Sequence, residues 1–66
     1  MNHNLTDVDK FTVVCVDDRP VFQQAPTGLT TGTRYTVIAE NENVYLIESN
    51  DNGEPRTYFK SRFSKV

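Results

Sequence analysis

From Phe11 to Val16 the chain reads Phe-Thr-Val-Val-Cys-Val. β-branched residues dominate this run, and its near-continuous apolar character predicts a first strand with both faces at least partly covered. From Thr33 onward the pattern alternates instead. Tyr35, Val37 and Ala39 fall on one side, and Thr36, Ile38 and Glu40 on the other. Val44 to Ser49 alternates in the same way, with Tyr45 and Ile47 set against Val44, Leu46 and Glu48. The residues between these runs, Ala39-Glu-Asn-Glu-Asn43, are mostly of turn-forming type, so Gly28 to Ile47 predicts a β-hairpin on which the other segments close. The predicted inward set is Tyr35, Val37, Tyr45 and Ile47, with Leu46 and Ile38 partly covered. A slip of one residue would invert that choice.

Asn50-Asp-Asn-Gly53 is the strongest turn signal in the chain, because Asn-Gly supplies the positive φ angles of a tight hairpin turn. Arg56 to Lys60 is then the returning strand, Ser61-Arg62 a single 3₁₀ turn, and Phe63 to Val66 a short last strand. Asp17-Asp-Arg-Pro20 stops the first strand, since proline cannot donate to a ladder and aspartate favours turns. Asp17 to Thr31 has no sustained period and is expected to be one long loop, with Val21-Phe22 tucked against the barrel rim. Loops of that length are often functional, and a plain plug over one end of the barrel accounts for the same residues. Met1 to Asp9 holds little apolar material and is expected to be a flexible arm (1–9) before the folded domain (10–66). No segment carries a period of 3.6, so the expected fold is all-β, a five-stranded barrel.

This order of motifs resembles an SH3-type barrel. Leu29-Thr-Thr-Gly32 stands where that family has its diverging turn, and Tyr35-Thr-Val-Ile38 where it has its second strand. Asp51-Asn-Gly53 matches the distal hairpin, and Tyr58-Phe-Lys-Ser-Arg-Phe63 the strand, 3₁₀ turn and aromatic that close the domain. SH3 domains that hold proline-rich peptides add a Tyr-rich first strand, a Trp opening the third strand and a Pro beside the last aromatic. Here there is no Trp; Val44-Tyr45 and Lys60 occupy the latter two places, and Val13-Val-Cys-Val16 replaces the Tyr-rich strand. The pattern is similar to reduced SH3-like proteins of bacteriophages and prophages, most of which have no assigned activity. The resemblance implies an accessory protein in the bacterial host cytoplasm that modulates a host protein.

The length of 66 residues fits one domain, and a chain of this size buries only about 60% of the surface its unfolded form exposes. Cys15 is the only cysteine and His3 the only histidine, so neither an intrachain disulfide nor a four-ligand zinc site is expected. A lone cysteine within an apolar strand points to a reducing compartment. No apolar run matches a signal-peptide core or a membrane helix, and a cytoplasmic location is expected. Net charge is −2, which gives no global basic footprint for nucleic acid. Acids predominate before Asn52, whereas Arg56, Lys60, Arg62 and Lys65 follow Glu54 with no acid among them.

Catalysis needs a nucleophile with a base, or a titratable pair held in a cleft. His3 sits in the expected arm, Cys15 between two valines, and Asp17-Asp18 is explained as a strand stop. The expectation is therefore a protein that is not an enzyme, without metal or cofactor. Two binding surfaces are candidates. Asp17, Asp18, Arg19 and Phe22 facing Glu40 and Glu42 across the hairpin tip would make an acidic rim suited to a protein partner. Alternatively, Arg56, Tyr58 and Lys60 share one face of a strand and, with Arg62, would form a nucleic-acid face on which a base stacks between cations. A homo-oligomeric structural role is a third expectation.

Overall fold

In the computed structural model, which describes residues 4–20 and 26–66, five antiparallel strands form one sheet. They are β1 (Thr6–Cys15), β2 (Arg34–Glu40), β3 (Val44–Ile47), β4 (Arg56–Phe59) and β5 (Phe63–Lys65), with a 3₁₀ turn at Lys60–Arg62 joining the last two. The order across the sheet is β4-β3-β2-β1-β5. β1 to β4 form a meander, and the 3₁₀ turn returns the chain so that β5 pairs with β1 on its far side. The sheet curls into a half-barrel whose concave face holds the core. Among the described residues no helix is long and apolar enough to cross a membrane.

β1 begins at Thr6 rather than at Phe11. Thr6 and Asp7 pair with Glu40 and Ala39, and the register shifts before Phe11 pairs with Val37. Such an irregularity breaks the two-residue side-chain period, so the Thr-Asp-Val-Asp-Lys stretch shows no alternation although its backbone is in the ladder. Val8 packs on the core cluster as a partly buried residue. Of the expected flexible arm, residues 1–3 lie outside the described residues, and 6–9 belong to β1.

The inward set is as expected: Val37 and Ile47 are fully buried, and Tyr35 and Tyr45 nearly so. Val13, Cys15, Leu29, Tyr58 and Phe63 complete the core. Leu46 and Ile38, on the other face, are half-buried. Phe63 is the hub, its ring lying 6.3 Å from Tyr35, 6.0 Å from Tyr45 and 6.1 Å from Tyr58 between centroids. The contacts with Tyr35 and Tyr58 are edge-to-face, and such pairs add to what burial alone contributes.

The β2–β3 and β3–β4 turns are each built by one asparagine. In the β2–β3 turn, Asn41 Oδ1 accepts from the backbone N–H of Asn43 (2.8 Å) and Val44 (2.9 Å). The β3–β4 connection is not the tight two-residue hairpin that Asn-Gly predicts, since β3 stops at Ile47 and β4 resumes at Arg56. Gly53 does adopt positive φ (+77°), but within a wider loop closed by Asn50. The Asn50 N–H donates to Glu54 O (2.9 Å), Asn50 O accepts from Gly53 N–H (2.9 Å), and Asn50 Oδ1 accepts from Asn52 N–H (2.9 Å) and Glu54 N–H (3.1 Å). A side chain that satisfies so many backbone groups makes a longer loop as determinate as a short one.

Candidate interaction site

The sheet has an open edge at β4, and the register fixes which groups face outward. Val44 pairs with Phe59, Tyr45 with Tyr58, Leu46 with Thr57 and Ile47 with Arg56. Lys60 N–H donates to Asn43 O (3.0 Å), one step beyond the Val44–Phe59 pair. In an antiparallel ladder this makes Val44–Phe59 and Leu46–Thr57 the pairs without mutual hydrogen bonds. The backbone N–H and C=O of Thr57 and the N–H of Phe59 therefore point away from β3, while Phe59 O, at the cap of the 3₁₀ turn, is taken up by that turn, and among the described residues no strand lies beyond β4. Beside these groups the Phe59 side chain is 59% exposed, with half-buried Val44 across from it and half-buried Leu46 on the neighbouring strand. On the opposite face the Arg56 guanidinium lies 5.6 Å from the centre of the Tyr58 ring. Unpaired backbone groups, an exposed aromatic and a flanking cation form a short template for an added strand.

The acidic rim does not assemble. Asp17 follows the end of β1 at which Val14 pairs with Arg34, whereas Glu40 pairs with Thr6 at the other end of the β1–β2 ladder. Six residue steps of about 3.3 Å along β2 separate those ends by roughly 20 Å. Asp17 is also engaged locally. Its carboxylate accepts from Arg19 Nε (3.0 Å) and Nη2 (3.1 Å) and from the Arg19 backbone N–H (3.1 Å). The Arg19 side-chain bond is the largest influence, and with the backbone N–H it draws the Asp17 pKa down to about 2. Asp18 Oδ2 accepts from Thr31 N–H (3.1 Å). Val16, Asp17, Asp18, Arg19 and Thr31 line only a shallow open depression. Glu40 pairs with Lys60 (2.8 Å), and Glu42 is exposed at the hairpin tip. Phe22, like His3, lies outside the described residues.

Nor is the basic set one stripe. Tyr58 is buried, with its hydroxyl donating to Thr27 O (2.5 Å) and accepting from Asn50 Nδ2 (3.2 Å). Its hydroxyl is thus fully engaged by the protein, and the buried ring is not presented to a base. Arg62 is buried and donates from Nη1 to Asp17 O (3.0 Å). In return Arg62 O accepts from the N–H of Val16 (2.7 Å) and Asp17 (3.2 Å). It fastens the end of β1 to the 3₁₀ turn. Lys60 lies over the Tyr45 ring at 5.2 Å while paired with Glu40. Arg56 alone of the four is exposed.

Sequence reasoning missed a set of residues that tie the loop before β2 to the β3–β4 turn. Tyr35 OH donates to Asp51 Oδ1 (2.6 Å) and accepts from Thr30 N–H (2.8 Å), while Thr30 Oγ1 donates to Asp51 Oδ2 (2.7 Å). These donors hold the Asp51 carboxyl below its ordinary range, and burial followed by the Asp51 bond pushes the Tyr35 phenol up. Asp51 N–H donates to Gly28 O (2.8 Å). Gly28 has φ +81°, and a Cβ there would lie 2.8 Å from Asn50 Nδ2, so the close approach of the two loops requires glycine. The available signal was Asn50 heading a turn motif, which marks a candidate for side-chain-to-backbone bonding. Cys15 is buried among apolar neighbours, and that burial raises its thiol pKa above the ordinary value.

The chain matches no family model, no curated protein and no solved structure.

Proposed function

We propose that this chain is a small non-enzymatic interaction module of SH3-like architecture, an accessory protein of phage or prophage type that binds a protein of its bacterial host in the cytoplasm. The strand order β4-β3-β2-β1-β5 and the 3₁₀ turn before the last strand support the SH3-like part of the reading. The raised thiol pKa of Cys15 supports a structural rather than a nucleophilic residue there. The observation that carries the binding role is the β4 edge, where the N–H and C=O of Thr57 and the N–H of Phe59 face away from β3, with no strand beyond them among the described residues, beside an exposed aromatic ring. An extended segment of the partner adds to that edge, its backbone supplying affinity and a pocket-filling side chain beside Phe59 supplying selectivity.

The test is comparative capture from host lysate with tagged wild type, Phe59→Ser, Thr57→Pro and Asp17→Asn chains. A protein retained by wild type and Asp17→Asn but lost from both β4 variants supports the reading. Equal retention by all four sinks it. Titration with single-stranded and duplex oligonucleotides at low and moderate salt addresses the nucleic-acid reading, since phosphate contacts weaken steeply as salt rises.

A further inference from the structure

The β3–β4 turn carries a second chemistry that does not depend on the binding role. Asn52 is followed by Gly53, whereas Asn2, Asn4, Asn41, Asn43 and Asn50 precede His3, Leu5, Glu42, Val44 and Asp51. A residue with no Cβ after asparagine lets its backbone nitrogen swing onto the asparagine side-chain carbonyl. Both residues are exposed, and the space around the missing Gly53 Cβ is open to at least 4 Å. One restraint opposes the swing. Gly53 N–H is committed to Asn50 O (2.9 Å) and Asn52 N–H to Asn50 Oδ1 (2.9 Å), so the nitrogen that would attack is held as a donor turned toward Asn50.

We propose that Asn52 is a site of spontaneous deamidation and that Asn50 is its gate. When the turn opens, water or hydroxide takes the Gly53 amide proton and the nitrogen lone pair forms a bond to Asn52 Cγ. The Cγ–Nδ2 bond breaks, Nδ2 takes a proton back from water and leaves as ammonia, and a five-membered succinimide remains. Water then opens the ring at either carbonyl, giving aspartate or iso-aspartate at position 52. One ammonia leaves and one water enters, and nothing is oxidised or reduced. The product adds a carboxylate beside Asp51. In the iso-aspartate form it also adds a methylene to the backbone of the loop that Asn50 closes. That lengthening pulls the Asn52 and Glu54 N–H groups off Asn50 Oδ1, and with them weakens the hold of Asn50 on Tyr58 and on the segment around Gly28.

The experiment incubates the full chain in mildly alkaline buffer, native and in urea, and follows intact mass, the fragment spanning 35–56 and labelling by an iso-aspartate-specific methyltransferase. The expected result is conversion confined to position 52, absent in Asn52→Ser, and faster in urea than in the native chain. Asn50→Ala removes the side-chain acceptor, and loss of that hydrogen bond is expected to speed native conversion about fivefold, with equal rates for the two chains in urea. If Asn50→Ala does not fold, the urea dependence of the wild type carries the gate. Conversion at another asparagine, no conversion under conditions that convert a free Ser49–Arg56 peptide, or equal rates native and in urea would overturn the proposal.

Discussion

Tyr35 and Tyr58 carry the tie between the two loops through their hydroxyls, each donating one hydrogen bond and accepting another. Tyr58→Phe keeps the ring against Phe63 but leaves Thr27 O and Asn50 Nδ2 without their partner. Leaving buried polar groups unsatisfied costs about 1–3 kcal/mol, so the urea midpoint of Tyr58→Phe should fall while the denaturant slope stays constant. Asp51 and Asp17 set the acid limb of stability. Both carboxyls have folded-state pKa values below the 3.8 of the unfolded chain, about 2 for Asp17. Their contribution is therefore fully present above pH 3.8 and is lost as pH falls toward 2. A thermal melt series across that window should show the midpoint dropping with acidification. The drop should be shallower in Asp51→Asn, and a flat profile in the wild type would contradict the assignment.

At the scale of elements, β4, like β5 at the other end of the order, owes its ladder bonds to one side only. Thr57 N–H faces outward, so Thr57→Pro removes no bond to β3, and proline is tolerated on edge strands in that position. Its unfolding midpoint should lie close to wild type by urea titration, whereas Tyr58→Pro, at a residue bonded to β3, should not fold. The same phase explains what was legible beforehand. Alternation in Tyr35-Thr-Val-Ile-Ala and Val-Tyr-Leu-Ile exposed the buried face directly, because a covered face and an open face demand different side chains. The start of β1 was hidden, since between Asp7 and Phe11 the register irregularity uncouples side-chain pattern from backbone pairing. The acidic rim failed for a related reason. The expectation set the loop carrying Asp17 against the hairpin tip carrying Glu40, but the ladder between them sets their separation. The tie through Asn50, Tyr35 and Tyr58 was illegible because tyrosine reads as core from its ring, while the destination of its hydroxyl depends on loops with no period.

For the molecule as a whole, closure rests on Phe63, which contacts rings from β2, β3 and β4 while its backbone pairs with Cys15 of β1. Truncating a buried Phe to Ala costs about 3–5 kcal/mol, a large part of the 5–15 kcal/mol typical of a native domain. Phe63→Ala should therefore lose its near-UV circular-dichroism signal at a much lower urea concentration than the wild type, while Phe59→Ala, exposed and outside the core, should keep the wild-type midpoint. The pairing of β5 with β1 has a consequence for how the protein comes into being. β1 is synthesised before β5, so the strand that seals it arrives only when residues 63–65 have cleared the ribosome. Until that moment β1 is bonded along one side, and Tyr35, Tyr45 and Tyr58 lack the ring they gather around. The growing polypeptide thus passes through a stage with an unfinished interior, in which those rings are open to the chaperones of the cell.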